Sequence, residues 1–241
     1  MFYESYKQIE QLRQEFFERL NCGLSPELAE RLFRILQEDG PTFVHSLYTS
    51  FYVERMAYFA GYGNEEVRMI SSEALLHDIG KLVPSVRSLI RRRDLSDREW
   101  AEVRKHPLYG GMILRELGLP FQYANVAEQH HENYDGSGHP YGLSGEPDGS
   151  GGAFIHPHAA LIRIADTYHS AQLTYDKAHL LGPDELGNLG FQTSRQYAAS
   201  IILKGEGIKF HPAFIEPFKQ FYQYPEMRTD AFFMQSSANI Y

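Results

Sequence analysis

Apolar residues recur at three- and four-residue spacing along most of the chain, and no alternating run bounded by turn residues interrupts them, so the pattern predicts an all-α fold. Two amphipathic helices are expected first, over 3–20 and 26–38. Between them lies Asn21-Cys22-Gly23-Leu24-Ser25-Pro26. Ser25 suits an N-cap, and Pro26 suits the first helical position, where a missing N–H costs nothing. Further helices are predicted near 42–60, 64–77, 96–104, 107–117, 121–133, 157–181, 193–204 and 211–223. The chain then divides into an N-terminal helical extension over 1–40, a main helical domain over 41–224 and a weakly periodic tail over 225–241. Gly142 to Gly152 carries so many glycines that it reads as a mobile lid or a surface insertion.

Composition narrows the classes without choosing among them. With 241 residues, of which 43% are hydrophobic and 22% charged, the chain can bury a substantial core. No apolar run approaches the ~18 residues needed to span a bilayer, and the N-terminus lacks a basic stretch followed by an apolar one. Neither membrane insertion nor secretion is therefore expected. A single cysteine, Cys22, cannot form an intramolecular disulfide and suits a reducing, cytoplasmic setting. The net charge of −8 argues against broad DNA or RNA binding, which draws on clustered Lys and Arg. One basic patch, Arg87, Arg91, Arg92 and Arg93, follows Lys81; it is either an attractor for phosphate or a solvated helix face.

Candidate chemistry centres on the adjacent His77 and Asp78 in Leu75-Leu76-His77-Asp78-Ile79-Gly80-Lys81. An imidazole binds one metal, whereas a carboxylate has two oxygens and can bridge a pair. Other candidate ligands stand in or beside apolar, helix-like segments. They are His45 upstream, then His106, the doublet His130-His131, and Asp166. Packed helices give ligands the rigidity that metal geometry demands. His156, His158, His179 and His211 fall outside this order and are read as helix-terminal or surface residues.

The order HDIGK, HPxxG around His106, HHExxDGxG from His130, and IAD ending at Asp166 resembles the HD-GYP family, a subset of the HD metal-dependent phosphohydrolases. The resemblance covers roughly residues 42–222 and implies an HD-domain helical bundle behind a short helical preface. It implies that His45, His77, Asp78 and Asp166 hold one divalent metal, and that Asp78, His106 and His130 hold a second. His131 takes a ligand role at a metal left open. Where some members place a glutamate for a third metal, this chain has Pro41, so two are expected. Iron or manganese is expected, with zinc or nickel also compatible with imidazole and carboxylate ligands. The implied activity is hydrolysis of cyclic di-GMP or a related cyclic dinucleotide, with Asp78 and Lys81 in catalytic roles and Lys81 contacting substrate phosphate.

The departures from the family pattern bear on the substrate. His139 replaces the tyrosine of GYP, Ala160 stands where an arginine helps hold phosphate, and His169-Ser170 replace Asp-Ala. Arg163 lies three residues beyond Ala160, about 60° around a helix, and is the candidate stand-in. Alternatives within the resemblance are another HD-type phosphohydrolase, a di-iron oxygenase, or a weak signalling module that binds nucleotide or a GGDEF-type partner domain. A homodimer is compatible with each of these. On this reading Asp78→Ala loses both metals and all turnover, whereas Lys81→Ala keeps its metals and loses turnover; metal analysis beside an activity assay checks both.

Overall fold

The structure is a computed structural model that describes residues 2–20, 23–92, 94–146, 153–181 and 193–224. Cys22, Arg93, residues 147–152 and the tail 225–241 lie outside the described residues, as does the side chain of His179. Among the described residues the secondary structure is helical apart from isolated bridges.

Helices α1 (Phe2–Arg19) and α2 (Pro26–Leu36) open the chain. Ser25 caps α2 by accepting from the Leu28 N–H at 3.2 Å, with Pro26 in the first turn as expected. Helix α3 (Gly40–Phe59) is the central rod, and every residue from Thr42 to Val53 is buried. A helix apolar on all sides needs partners all round. These are supplied by α4 (Asn64–Leu76), α9 (Pro157–Leu181) and α11 (Ile215–Gln223). Between α4 and α9 come the short α5 (Pro84–Arg87), α6 (Asp97–Val103), α7 (His106–Glu116) and α8 (Phe121–Gln129). Helix α10 (Ser194–Lys204) packs on α9.

The preface is built into this core. Phe16 of α1 is fully buried against Phe33 of α2 and Phe43 of α3, with ring centroids 5.5 and 5.9 Å away. At the other side, Phe221 of α11 meets Tyr52 of α3 at 5.4 Å and Tyr168 of α9 at 5.8 Å. Such aromatic contacts bury large areas and hold the outer helices to the rod.

Two of the changes from the predicted boundaries shape the site. The helix expected over 121–133 ends at Gln129, with His130 as its C-cap. The helix expected over 64–77 ends at Leu76, with His77 as its C-cap. Asp78 takes φ −100°, ψ 9°, and a 3-10 turn spans Ile79–Leu82. Lys81 therefore faces Asp78 rather than His77. The segment near 211–223 splits into a 3-10 turn, Pro212–Phe214, and α11.

Three arginines of the basic patch after Lys81 are spoken for by acids. Arg87 bonds Glu38, Arg91 pairs with the buried Asp39, and Arg92 pairs with Glu99. Asp39 also caps α3, accepting from Thr42 N–H at 3.2 Å. These arginines act in the structure as braces, and the phosphate-attracting reading of them is weakened.

His158 is no surface residue. It is buried at the start of α9, with Nδ1 2.7 Å from Glu73 Oε2 and Nε2 3.3 Å from Glu66 Oε1, both on α4. Burial disfavours its cation, but the two carboxylates prevail and raise its pKa above the ordinary 6.5. A raised folded pKa gives stability that is complete below the unfolded value and lost as pH rises through the folded one. The thermal midpoint of the native chain should thus exceed that of His158→Gln most at about pH 6, with the gap narrowing as pH rises above about 6.5, read by calorimetry.

Gly80 explains the glycine of the HDIGK run. A Cβ there would lie 2.0 Å from the His106 carbonyl oxygen and 2.5 Å from the Gly110 nitrogen, so the 3-10 turn reaches α7 only without a side chain. Backbone atoms cannot step aside as a flexible side chain could. Gly80→Ala should destabilise the chain on the order of 3 kcal/mol, a fall in thermal midpoint of roughly 6–12 °C.

Candidate metal centre

Four histidines turn inward around Asp78, and three of them do so for the same reason. A helix leaves its last carbonyls without partners, and His77 and His130 sit where α4 and α8 end. Nδ1 of His77 lies 2.6 Å from the Ala74 carbonyl, and Nδ1 of His130 lies 2.6 Å from that of Ala127. His106 opens α7 and reaches the Val103 carbonyl at the end of α6, 2.8 Å away. A carbonyl only accepts, so each Nδ1 carries the proton and each Nε2 presents a lone pair to the interior.

The Nε2 atoms divide between the two oxygens of Asp78. Oδ2 faces His45 Nε2 at 3.5 Å and His77 Nε2 at 3.3 Å, while Oδ1 faces His106 Nε2 at 3.3 Å and His130 Nε2 at 3.6 Å. Asp166, on α9, adds Oδ1 at 3.1 Å from His45 Nε2. Lys81 Nζ stands 2.5 Å from Asp78 Oδ2 at the partly open edge. His77, Asp78 and His130 are wholly buried. Two groups of ligand-type atoms close enough to share an ion result, His45-His77-Asp78 and His106-His130-His131.

These donors fit cations. His106 Nε2 and His130 Nε2 point lone pairs at each other across 3.4 Å. The buried His77 Nε2 and Asp78 Oδ1 have no hydrogen-bond partner. Buried lone pairs without donors are costly, and a positive ion is the natural remedy. Burial would raise the Asp78 pKa, but the Lys81 ammonium beside it helps keep the carboxyl well below the usual range. Burial holds the His130 pKa down to about 3, so its imidazole is neutral, as a ligand must be.

His131 is placed differently from its neighbour. Its ring lies 4.2 Å from that of His130, but its Nδ1 is 2.8 Å from Arg163 Nη1. A guanidinium only donates, so this Nδ1 is an acceptor and the proton of a neutral ring sits on Nε2. Ligation by His131 through Nδ1 would require Arg163 to move. Arg163 also reaches Asn133 Oδ1 at 3.3 Å and Asp166 Oδ2 at 3.7 Å. His139 stacks on His131 with ring centroids 5.0 Å apart and planes 10° apart, and burial lowers its pKa to about 4. The loop carrying it is pinned by Glu132, which accepts from the N–H groups of Tyr141 at 2.6 Å and Leu143 at 3.0 Å. Gly138 lets that loop fold tightly, since a Cβ would lie 2.2 Å from the Asn133 nitrogen.

Ala160 is buried and offers no polar group toward a phosphate. His211 caps the Pro212–Phe214 turn, and His156 accepts from the His158 N–H; both stand outside the centre. His169, noted in the sequence only as a departure, is buried with Nδ1 2.7 Å from His45 Nδ1. Its spacing from Asp166 was the available signal, because residues three apart share a helix face.

The HD domain family model matches residues 24–181. The chain belongs to the HD-domain family. Over 129 residues, 50% of this chain and 32% of that protein, it is 35% identical to the cyclic di-GMP phosphodiesterase response regulator RpfG of Xanthomonas campestris pv. campestris. Over 138 residues, 54% of this chain and 26% of that protein, it is 37% identical to a 3'3'-cGAMP-specific phosphodiesterase of Vibrio cholerae. The HD-domain chain thus spans about a third or less of these relatives' length. A solved HDG"Y"P protein from Bdellovibrio bacteriovorus shares the fold, with a TM-score of 0.52 at 18% identity over 75% of this chain and 52% of that one. Among the described residues no helix is long and apolar enough to cross a membrane.

Proposed function

We propose that this HD domain is a metal-dependent phosphodiesterase acting on a cyclic dinucleotide. The observation that carries the reading is the division of four inward lone pairs between the two oxygens of one buried carboxylate. His45, His77, Asp78 and Asp166 would hold one divalent ion, and Asp78, His106 and His130 the other, with Asp78 as the bridge. Iron or manganese fits a set of imidazoles and carboxylates without thiolates. Such a pair, when bound, supplies Lewis acidity toward a phosphodiester and a readily deprotonated water.

The chain's own groups do the rest. The backbone carbonyls of Ala74, Val103 and Ala127 fix three imidazole tautomers before any ligand arrives, so no reorganisation is needed at that stage. Lys81, partly exposed beside Asp78, is placed to meet a phosphate oxygen at the edge of the centre. Arg163 brings a second cation beside His131 and Asp166, and the stacked His131 and His139 form a flat wall next to it. The relatives' names support two substrates, cyclic di-GMP and 3'3'-cGAMP.

The deciding experiment supplies both dinucleotides to protein loaded anaerobically with Fe(II) or Mn(II), with Asp78→Ala alongside, and separates products by chromatography. Linear dinucleotide or mononucleotide formed only by the intact chain is expected. Two bound metals with no cleavage of either substrate would overturn the proposal.

A further inference from the structure

His45 differs from the other inward histidines in one respect. It sits in the second turn of α3, where the carbonyls of the preceding turn are already taken by the helix's own N–H groups. The backbone device that orients His77, His106 and His130 at helix ends is therefore closed to it. Its Nδ1 needs a side-chain acceptor, and the group in place is an imidazole, His169 Nδ1 at 2.7 Å.

We infer that His169 is a positioning residue that sets the tautomer of His45 and so builds one half of the metal centre. Between two Nδ1 atoms there is room for one proton. If His45 holds it, His45 Nε2 is a lone pair toward Asp78 and Asp166, and His169 must be neutral with its proton on Nε2. If His169 holds it, the His45 proton moves to Nε2 and the inner face of that site is blocked. Packing fixes the ring that makes the choice. His169 meets His45 nearly edge to edge, with ring centroids 4.9 Å and planes 26° apart, and stacks against Tyr48 at 4.5 Å and 21°. The edge of Tyr52 closes a third side at 6.1 Å. Helix α9 thus delivers two things one turn apart, a carboxylate beside His45 Nε2 from Asp166 and an acceptor for His45 Nδ1 from His169.

An imidazole acceptor has a distinct consequence. It adds no negative charge behind His45, whereas a carboxylate there would increase the basicity of that ring. His45 therefore gains no added basicity from the group behind it, and His169→Asp strengthens that half of the centre. This inference rests on the metal reading proposed above, and a metal-free measurement separates the two.

The test uses the full chain, His169→Phe, which keeps a flat ring for stacking but no acceptor, and His169→Asp, which restores one. In the metal-free native chain, long-range proton–nitrogen spectra should show His45 protonated at Nδ1, with the signal assigned by its loss in His45→Gln. In His169→Phe the proton should move to Nε2, and Mn(II) binding should drop from two ions per chain to one, or weaken about 10–100-fold at that site. His169→Asp should recover the Nδ1 tautomer and bind the same ion at least as tightly as the native chain. An unchanged His45 tautomer in His169→Phe would overturn the inference. If the native chain binds no Mn(II) at all, the metal reading fails, and the spectra still decide whether His169 sets His45.

Discussion

A carboxylate cannot remain charged at the centre of a helical core unless positive charge meets both of its oxygens, and the fold around Asp78 is organised by that demand. Removing such a group from water costs several kcal/mol even after relaxation. Here Lys81 meets one oxygen, and imidazoles from different helices turn lone pairs toward both, a set that a bound cation would complete. Helices α3, α4, α7 and α8 converge on this one side chain. Their ends, not their middles, supply most of the contacts, because unpaired terminal carbonyls are what turn the rings inward.

That choice of helix ends also explains why the glycine in the HDIGK run is needed. The chain must break helix geometry after His77, turn through Asp78 and come back against α7 within a few residues. Gly80 lets backbone touch backbone there, which brings His106 to the opposite oxygen of Asp78. Packing and chemistry are served by the same turn.

Much of this was legible in the sequence. The all-α class followed from spacing alone, and the set His45, His77, Asp78, His106, His130 and Asp166 was legible from motif order; the structure gathers all six. What stayed hidden depends on pairs distant in the chain. His158 looked like a helix-terminal residue because Glu73 and Glu66 are 85 and 92 residues away. The arginines after Lys81 looked free because Glu38 and Asp39 approach Arg87 and Arg91 from the turn between α2 and α3, 49 and 52 residues earlier. The ends of α4 and α8 were misjudged for a local reason. Apolar periodicity runs on past Leu76 and Gln129, while the backbone leaves the helix to satisfy an imidazole. His169 was visible as a residue, but its use depends on His45 being mid-helix.

The outer pair formed by His158 with α4 has a further meaning when the two helices are followed inward. Glu73 lies one turn before His77, and Asp166 lies eight residues after His158, about 12 Å along a single rigid helix. The two helices are thus bolted together through His158 and carry, farther along, two ligands of the same half of the centre, like the arms of a pair of tongs. The spacing between His77 and Asp166 is accordingly set at a distance, by a contact that touches neither.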